Sequence, residues 1–190
     1  MHLVKQSGTE QSCQSFDLAE AIAVLERTPA VLSALLCNLP ETLIRATEGA
    51  GTWSPYDVVG HLIHGELTDW IPRAQQILSG KTEPFERFDR NAQFAVSAGK
   101  TLSDLLEEFA KLRTKNLATL KGLNLKAEDF ARTGLHPELG SVTLGQLLAT
   151  WVVHDLDHIG QIARVLAKYH ANNVGPWTAY LSILTDRRQK

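Results

Sequence analysis

Residues 143–169 read "TLGQLLATWVVHDLDHIGQIARVLAKY". Leu144, Leu147, Leu148, Trp151, Ile162 and Val165 recur at three- and four-residue intervals, the spacing of one apolar helix face. A helix of this length with one apolar stripe must bury it against other helices. The stretch therefore points to an all-helical bundle. It also carries His154 and His158 beside that stripe. Four residues apart on a helix, they differ by about 40° around the axis and about 6 Å along it. Both rings can reach a common point, and two imidazole nitrogens can ligate one ion at about 2.0–2.1 Å. The intervening residues lack the glutamate of an HExxH metalloprotease helix, so no general base is built into this segment.

Working outward, the other long segments also show helical rather than two-residue periodicity. Asp17 is placed to cap a helix running to about Asn38, with a break or kink at Thr28-Pro29. "PETLI" at residues 40–44 suggests one further turn. A second long helix opens at "SPYD", with Ser54 as N-cap, Pro55 in the first turn and Asp57 complementing the dipole. It is expected to run to Gly80 with a kink at Pro72. "KTEPFERFDRNAQ" then reads as a polar connection. A third helix is predicted over 102–121, and a loop containing "GLHPELGSV" and His136 leads to the fourth at Thr143. "NNVGPW" ends that helix, and "WTAYLSILTDRR" is expected to form a short terminal helix that packs on the bundle or on a second subunit.

The chain has 190 residues, 44% hydrophobic and 21% charged, as expected of one globular domain. Residues 1–15 read as a mobile polar leader and residues 16–190 as a single domain. A net charge of -2 gives no electrostatic reason to expect nucleic acid or an anionic membrane. No signal peptide or membrane span is recognisable. Cys13 and Cys37 are too few for a disulfide framework and are expected as reduced thiols in a cytoplasmic protein.

A third metal ligand would come from "GHLIHGE" on the second helix, which offers His61 and His64. The densest apolar face there centres on Val59, Ile63, Leu67 and Trp70, and His61 lies almost opposite it. Periodicity points both histidines to solvent or to a polar cavity and does not choose between them. Asp155 is a candidate to orient a ligand imidazole, Asp157 is expected in solvent, and Glu66 is either a surface acid or a general base. His136 is expected in a solvated loop or at a pocket rim, and Trp53 and Trp151 in the core or a pocket wall.

"GTWSPYDVVGHLIHGE" and "TLGQLLATWVVHDLDHIGQIARVL" together closely resemble the DinB-like superfamily, especially its YfiT-related branch of metal-dependent hydrolases. "GLHPELGSVTLGQLL" and "VGPWTAYLSIL" are similar to the same branch, and the resemblance covers residues 18–185. It implies an up-down-down-up four-helix bundle, often dimeric. It also implies three histidines binding a divalent metal, zinc or nickel. The family's first histidine corresponds to the eighth residue after Trp53, His61, and the late pair to His154 and His158. Three protein ligands leave a position for water or a small-molecule substrate. Three activities are compatible with such a centre: a metal-dependent hydrolase, a metal- and thiol-dependent transferase or isomerase, and a non-catalytic metal or ligand binder.

Overall fold

The structure is a computed structural model that describes residues 15–185. The leader expected over 1–15, with Cys13, lies outside the described residues except for Ser15. Asp17 caps α1 (Leu18–Leu25), its carboxylate accepting the Glu20 N–H at 2.9 Å. The break at Thr28-Pro29 separates α1 from α2 (Thr28–Leu36), which accepts Pro29 in its first turn because no intrahelical donor is needed there. A single turn, α3 (Glu41–Ile44), follows Pro40.

α4 (Pro55–Thr68) begins with a reciprocal capping box between Ser54 and Asp57. The expected second helix is broken rather than bent. α4 ends at Thr68 and α5 (Trp70–Ser79) restarts after Asp69. Pro72 explains the position. It cannot donate to the Thr68 carbonyl and its ring crowds that carbonyl, so the discontinuity falls upstream of the proline. Gly80 ends α5 in the left-handed region at φ 73°.

Three expected irregular or helical segments differ. The polar connection runs into α6 (Ala92–Ser97), which packs on α4. The loop before the fourth long helix is a hairpin of β1 (Thr133–His136) and β2 (Gly140–Thr143), with His136 paired to Gly140. The terminal segment forms short 3-10 turns over Gly175–Tyr180 and Ser182–Leu184 instead of an α-helix. α7 (Leu102–Gly122) and α8 (Leu144–Tyr169) start at capping boxes on Thr101 and Thr143.

Two apolar clusters fix the helix directions. One joins Leu25 of α1, α5, Leu117 and Leu120 of α7, and Leu144 to Trp151 of α8. The other joins α2, the first half of α4, Leu105 to Phe109 of α7, and Ile162 of α8. Thus α4–α5 and α7 run the same way, while α1–α2 and α8 run oppositely: an up-down-down-up four-helix bundle with additional short helices.

Between the clusters every long segment contributes to a polar layer: Thr28, Glu66, Arg113 with Asn116, and Asp155. Arg113 donates to Glu66 Oε1 at 2.8 Å, to Asp155 Oδ1 at 3.0 Å and to the Leu25 carbonyl at 2.9 Å. Thr28 Oγ1 donates to Asp155 at 2.6 Å, Asn116 to Glu66 Oε2 at 3.0 Å and Trp151 Nε1 to Glu66 Oε1 at 3.1 Å. Four helices are therefore held in register by one buried ionic layer whose donors and acceptors are matched.

Candidate metal centre and its cavity

His61 projects from α4, and His154 and His158 from α8, into a cavity of about 760 Å³. His61 and His158 are buried. The Nε2 atom of His154 lies 3.1 Å from that of His61 and 3.2 Å from that of His158. The potential ligand atoms of the three residues all fall within 4.8 Å of one another. Two nitrogens at 2.0–2.1 Å from one tetrahedral ion stand about 3.3 Å apart. The observed spacings match that separation.

Hydrogen bonding alone does not satisfy this arrangement. His158 Nδ1 lies 2.8 Å from Gln161 Oε1, an acceptor, so Nδ1 carries the proton and Nε2 turns its lone pair inward. The Nδ1 atoms of His61 and His154 are buried with no hydrogen-bond partner. Protons placed on those Nδ1 atoms meet no acceptor and leave three lone pairs converging. One proton on His154 Nε2 serves only one of its two neighbours at a time, and a second inward proton crowds it. A cation among the three Nε2 atoms removes the conflict, so the residues fit a divalent metal.

The electrostatics agree. Burial, aided by the neighbouring imidazole of His158, pushes His61 down to about 3. Burial, with His158 and His61 beside it, does the same to His154. Burial also lowers His158, opposed by its bond to Gln161. All three rings are neutral at pH 7, the state in which a histidine ligates. Aromatic rings enclose them: Trp53 stands 4.7 Å and Phe88 5.3 Å from His61, and the Trp70 ring lies 5.1 Å from His154.

His64 remains outside the trio, half-buried against Phe88 at 4.6 Å. Two expectations for the acids are overturned. Asp155 does not orient a histidine, because its carboxylate is taken by Arg113 and Thr28. Glu66 is neither a surface acid nor a free base, since it is buried and accepts from Arg113, Asn116 and Trp151. Asp157 is exposed, at the cavity mouth. His136 lines the rim from β1, its Nδ1 accepting the N–H groups of Glu138 and Leu139 at 3.1 Å. Trp53 is a wall residue, whereas Trp151 is core.

The sequence reading missed Asp69 and Arg73. Both line the cavity, with Arg73 Nη2 2.7 Å from Asp69 Oδ1. Burial pushes the Asp69 carboxyl up to about 6, despite the cation of Arg73. The helix break ahead of Pro72 was the available signal, because a discontinuity exposes side chains that a continuous helix would stack.

A family model of the DinB superfamily matches residues 24–162. YfiT from Bacillus subtilis, described as a probable metal-dependent hydrolase with an unusual four-helix bundle topology, superposes with a TM-score of 0.68. It is 23% identical, over 88% of this chain and 93% of that one. A mycothiol-dependent maleylpyruvate isomerase superposes with a TM-score of 0.60 at 13% identity, over 88% of this chain and 75% of its own. No curated protein matches the sequence. These two likenesses concern the fold, while the family match spans most of the chain: the protein belongs to the DinB superfamily.

Proposed function

We propose that this protein is a metal-dependent enzyme of the hydrolase type, acting on a small molecule in the cavity, with His61, His154 and His158 holding zinc or nickel. The carrying observation is the convergence of three neutral, incompletely satisfied imidazoles at one end of that cavity. A divalent ion on three histidines supplies a Lewis acid with a coordination position left for water or substrate. The chain's own residues do the rest. Trp53, Trp70 and Phe88 restrict water around the histidines and raise the strength of local electrostatics. Asp69 supplies a wall carboxylate that takes and releases a proton at about pH 6, within the useful range for acid–base work.

A second reading is a thiol-dependent transferase or isomerase. One observation favours it: Glu66, the glutamate of the histidine-bearing segment, is locked into the ionic layer and cannot deprotonate water. A thiol, far more acidic than water, needs less help to become the nucleophile. The likeness to a mycothiol-dependent isomerase is consistent with this reading.

Elemental analysis of the purified chain, followed by assays of ester, amide and phosphate substrates with zinc or nickel, tests the proposal. Turnover without thiol, lost in His154→Ala, supports hydrolysis. Conversion of an electrophile only when a cellular thiol is added supports transfer. Absence of bound metal, with no rise in thermal stability on adding zinc or nickel, defeats both.

A further inference from the structure

The segment joining α5 to α6 contains Phe85-Glu86-Arg87-Phe88-Asp89-Arg90, an aromatic residue, an acid and an arginine repeated twice. The structure sorts them. Phe85, Arg87, Phe88 and Arg90 line the cavity, and the two acids do not. Glu86 is exposed and contributes its carbonyl, which accepts from Arg73 Nη2 at 3.2 Å. Asp89 turns its carboxylate back to accept the Asn91 N–H at 2.9 Å.

The segment is pinned rather than draped. The Phe85 N–H donates to the Leu135 carbonyl at 2.8 Å, and Gln76 Nε2 donates to the Glu83 carbonyl at 2.7 Å. Burial does not explain the sorting, because exposed arginines are solvated equally well facing bulk water. Three acids also line the wall. Asp69 is paired to Arg73, Glu138 stands 3.9 Å from Arg87, and Asp157 lies across the mouth on α8. Arg90 makes no ion pair among the described residues, and its charge reaches His61.

We infer that this segment selects the substrate: a small molecule bearing an oxyanion, carboxylate or phosphate, on an apolar body of about one aromatic ring. The guanidinium groups of Arg87 and Arg90 match either oxyanion in charge and planar donor geometry. The rings of Phe85 and Phe88 and the indoles of Trp53 and Trp70 supply the apolar wall. This assignment rests on the cavity being the substrate pocket proposed above.

Binding of phenylacetate, phenyl phosphate and neutral phenylacetamide is to be measured by tryptophan quenching, since Trp53 and Trp70 line the cavity. The full chain is used as purified and again with added zinc. The expected result is that at least one anion binds about tenfold or more tighter than the amide, a difference of about 1.4 kcal/mol. The better anion identifies the oxyanion class. The preference weakens with salt and is lost in the Arg87→Gln/Arg90→Gln double variant, whose melting temperature is unchanged and whose zinc affinity is not reduced. Equal binding of the amide and both anions overturns the inference. So does a preference that survives in the double variant, including one that exists only because zinc itself takes the anion. An arginine-dependent preference in a protein that binds no metal leaves this inference standing and defeats the metal centre.

Discussion

Two polar clusters lie side by side inside this bundle and are built in opposite ways. The Glu66–Arg113–Asp155 layer is completed by Thr28, Asn116, Trp151 and the Leu25 carbonyl. The His61–His154–His158 cluster leaves two buried Nδ1 atoms without partners and brings three Nε2 atoms together. Both draw on α4 and α8, within one or two turns of each other. A cluster that satisfies itself specifies the fold, whereas one left unsatisfied in a concave wall has been shaped for something that arrives later.

The largest effect separating them is expected at Arg113. Arg113→Ala leaves two buried carboxylates unpaired and should cost about 3–5 kcal/mol in denaturant unfolding. Replacing the three charges together, as Glu66→Leu/Arg113→Met/Asp155→Leu, should cost less than Arg113→Ala, because only the neutral partners Thr28, Asn116, Trp151 and the Leu25 carbonyl are then left unpaired. A triple variant as unstable as Arg113→Ala would show that the layer contributes net stability.

The histidine cluster should respond to metal instead. His154→Ala is expected to weaken zinc binding by more than about 100-fold, beyond the usual cost of losing an outer-shell partner. It should also abolish the rise in melting temperature that zinc confers on the wild type. Retained zinc protection in this variant would place the ion elsewhere.

Acid sharpens the comparison further. His61 and His154 stand near 3 in the fold against an ordinary 6.5, so unfolded chains bind two protons there that folded chains refuse. Metal-free stability should therefore fall as pH drops from about 6.5 toward 3. Asp69 works the other way between about 6 and its ordinary 3.8, because the fold holds its proton more tightly. The slope there should steepen in Asp69→Asn and flatten in His154→Ala. Urea titrations across pH would measure it.

The smallest effect is a control. Ser54→Ala removes the cap of the helix that carries His61 and should cost about 1 kcal/mol. Zinc affinity should be unchanged once the protein is folded. A large loss of affinity would mean that generic loosening of α4 accounts for the variants above.

Much of this was legible along the chain. Asp17, Ser54 and Thr143 announced helix starts because capping is a local interaction between residues three apart. The His154–His158 pair was legible for the same reason, as helical spacing alone makes the rings neighbours. Pro72 signalled a defect just upstream, at the Thr68 carbonyl, but not that the helix would part there rather than bend. His61 was separated from His64 by family resemblance. The helical wheel could not do so, since both leave the apolar face and only the position of α8 gives one of them partners.

Sequence by itself determined the four long helical segments, their caps and stripes, and the two late histidines, since each follows from contacts within a few residues. Tertiary structure decided the rest. It made Glu66 and Asp155 members of a buried ionic layer, because Arg113 reaches both from another helix. It turned an apparently polar connection into a cavity wall, because α5 and β1 hold its backbone in place. A residue's partners across the bundle are set by helix direction and register, which no local pattern encodes.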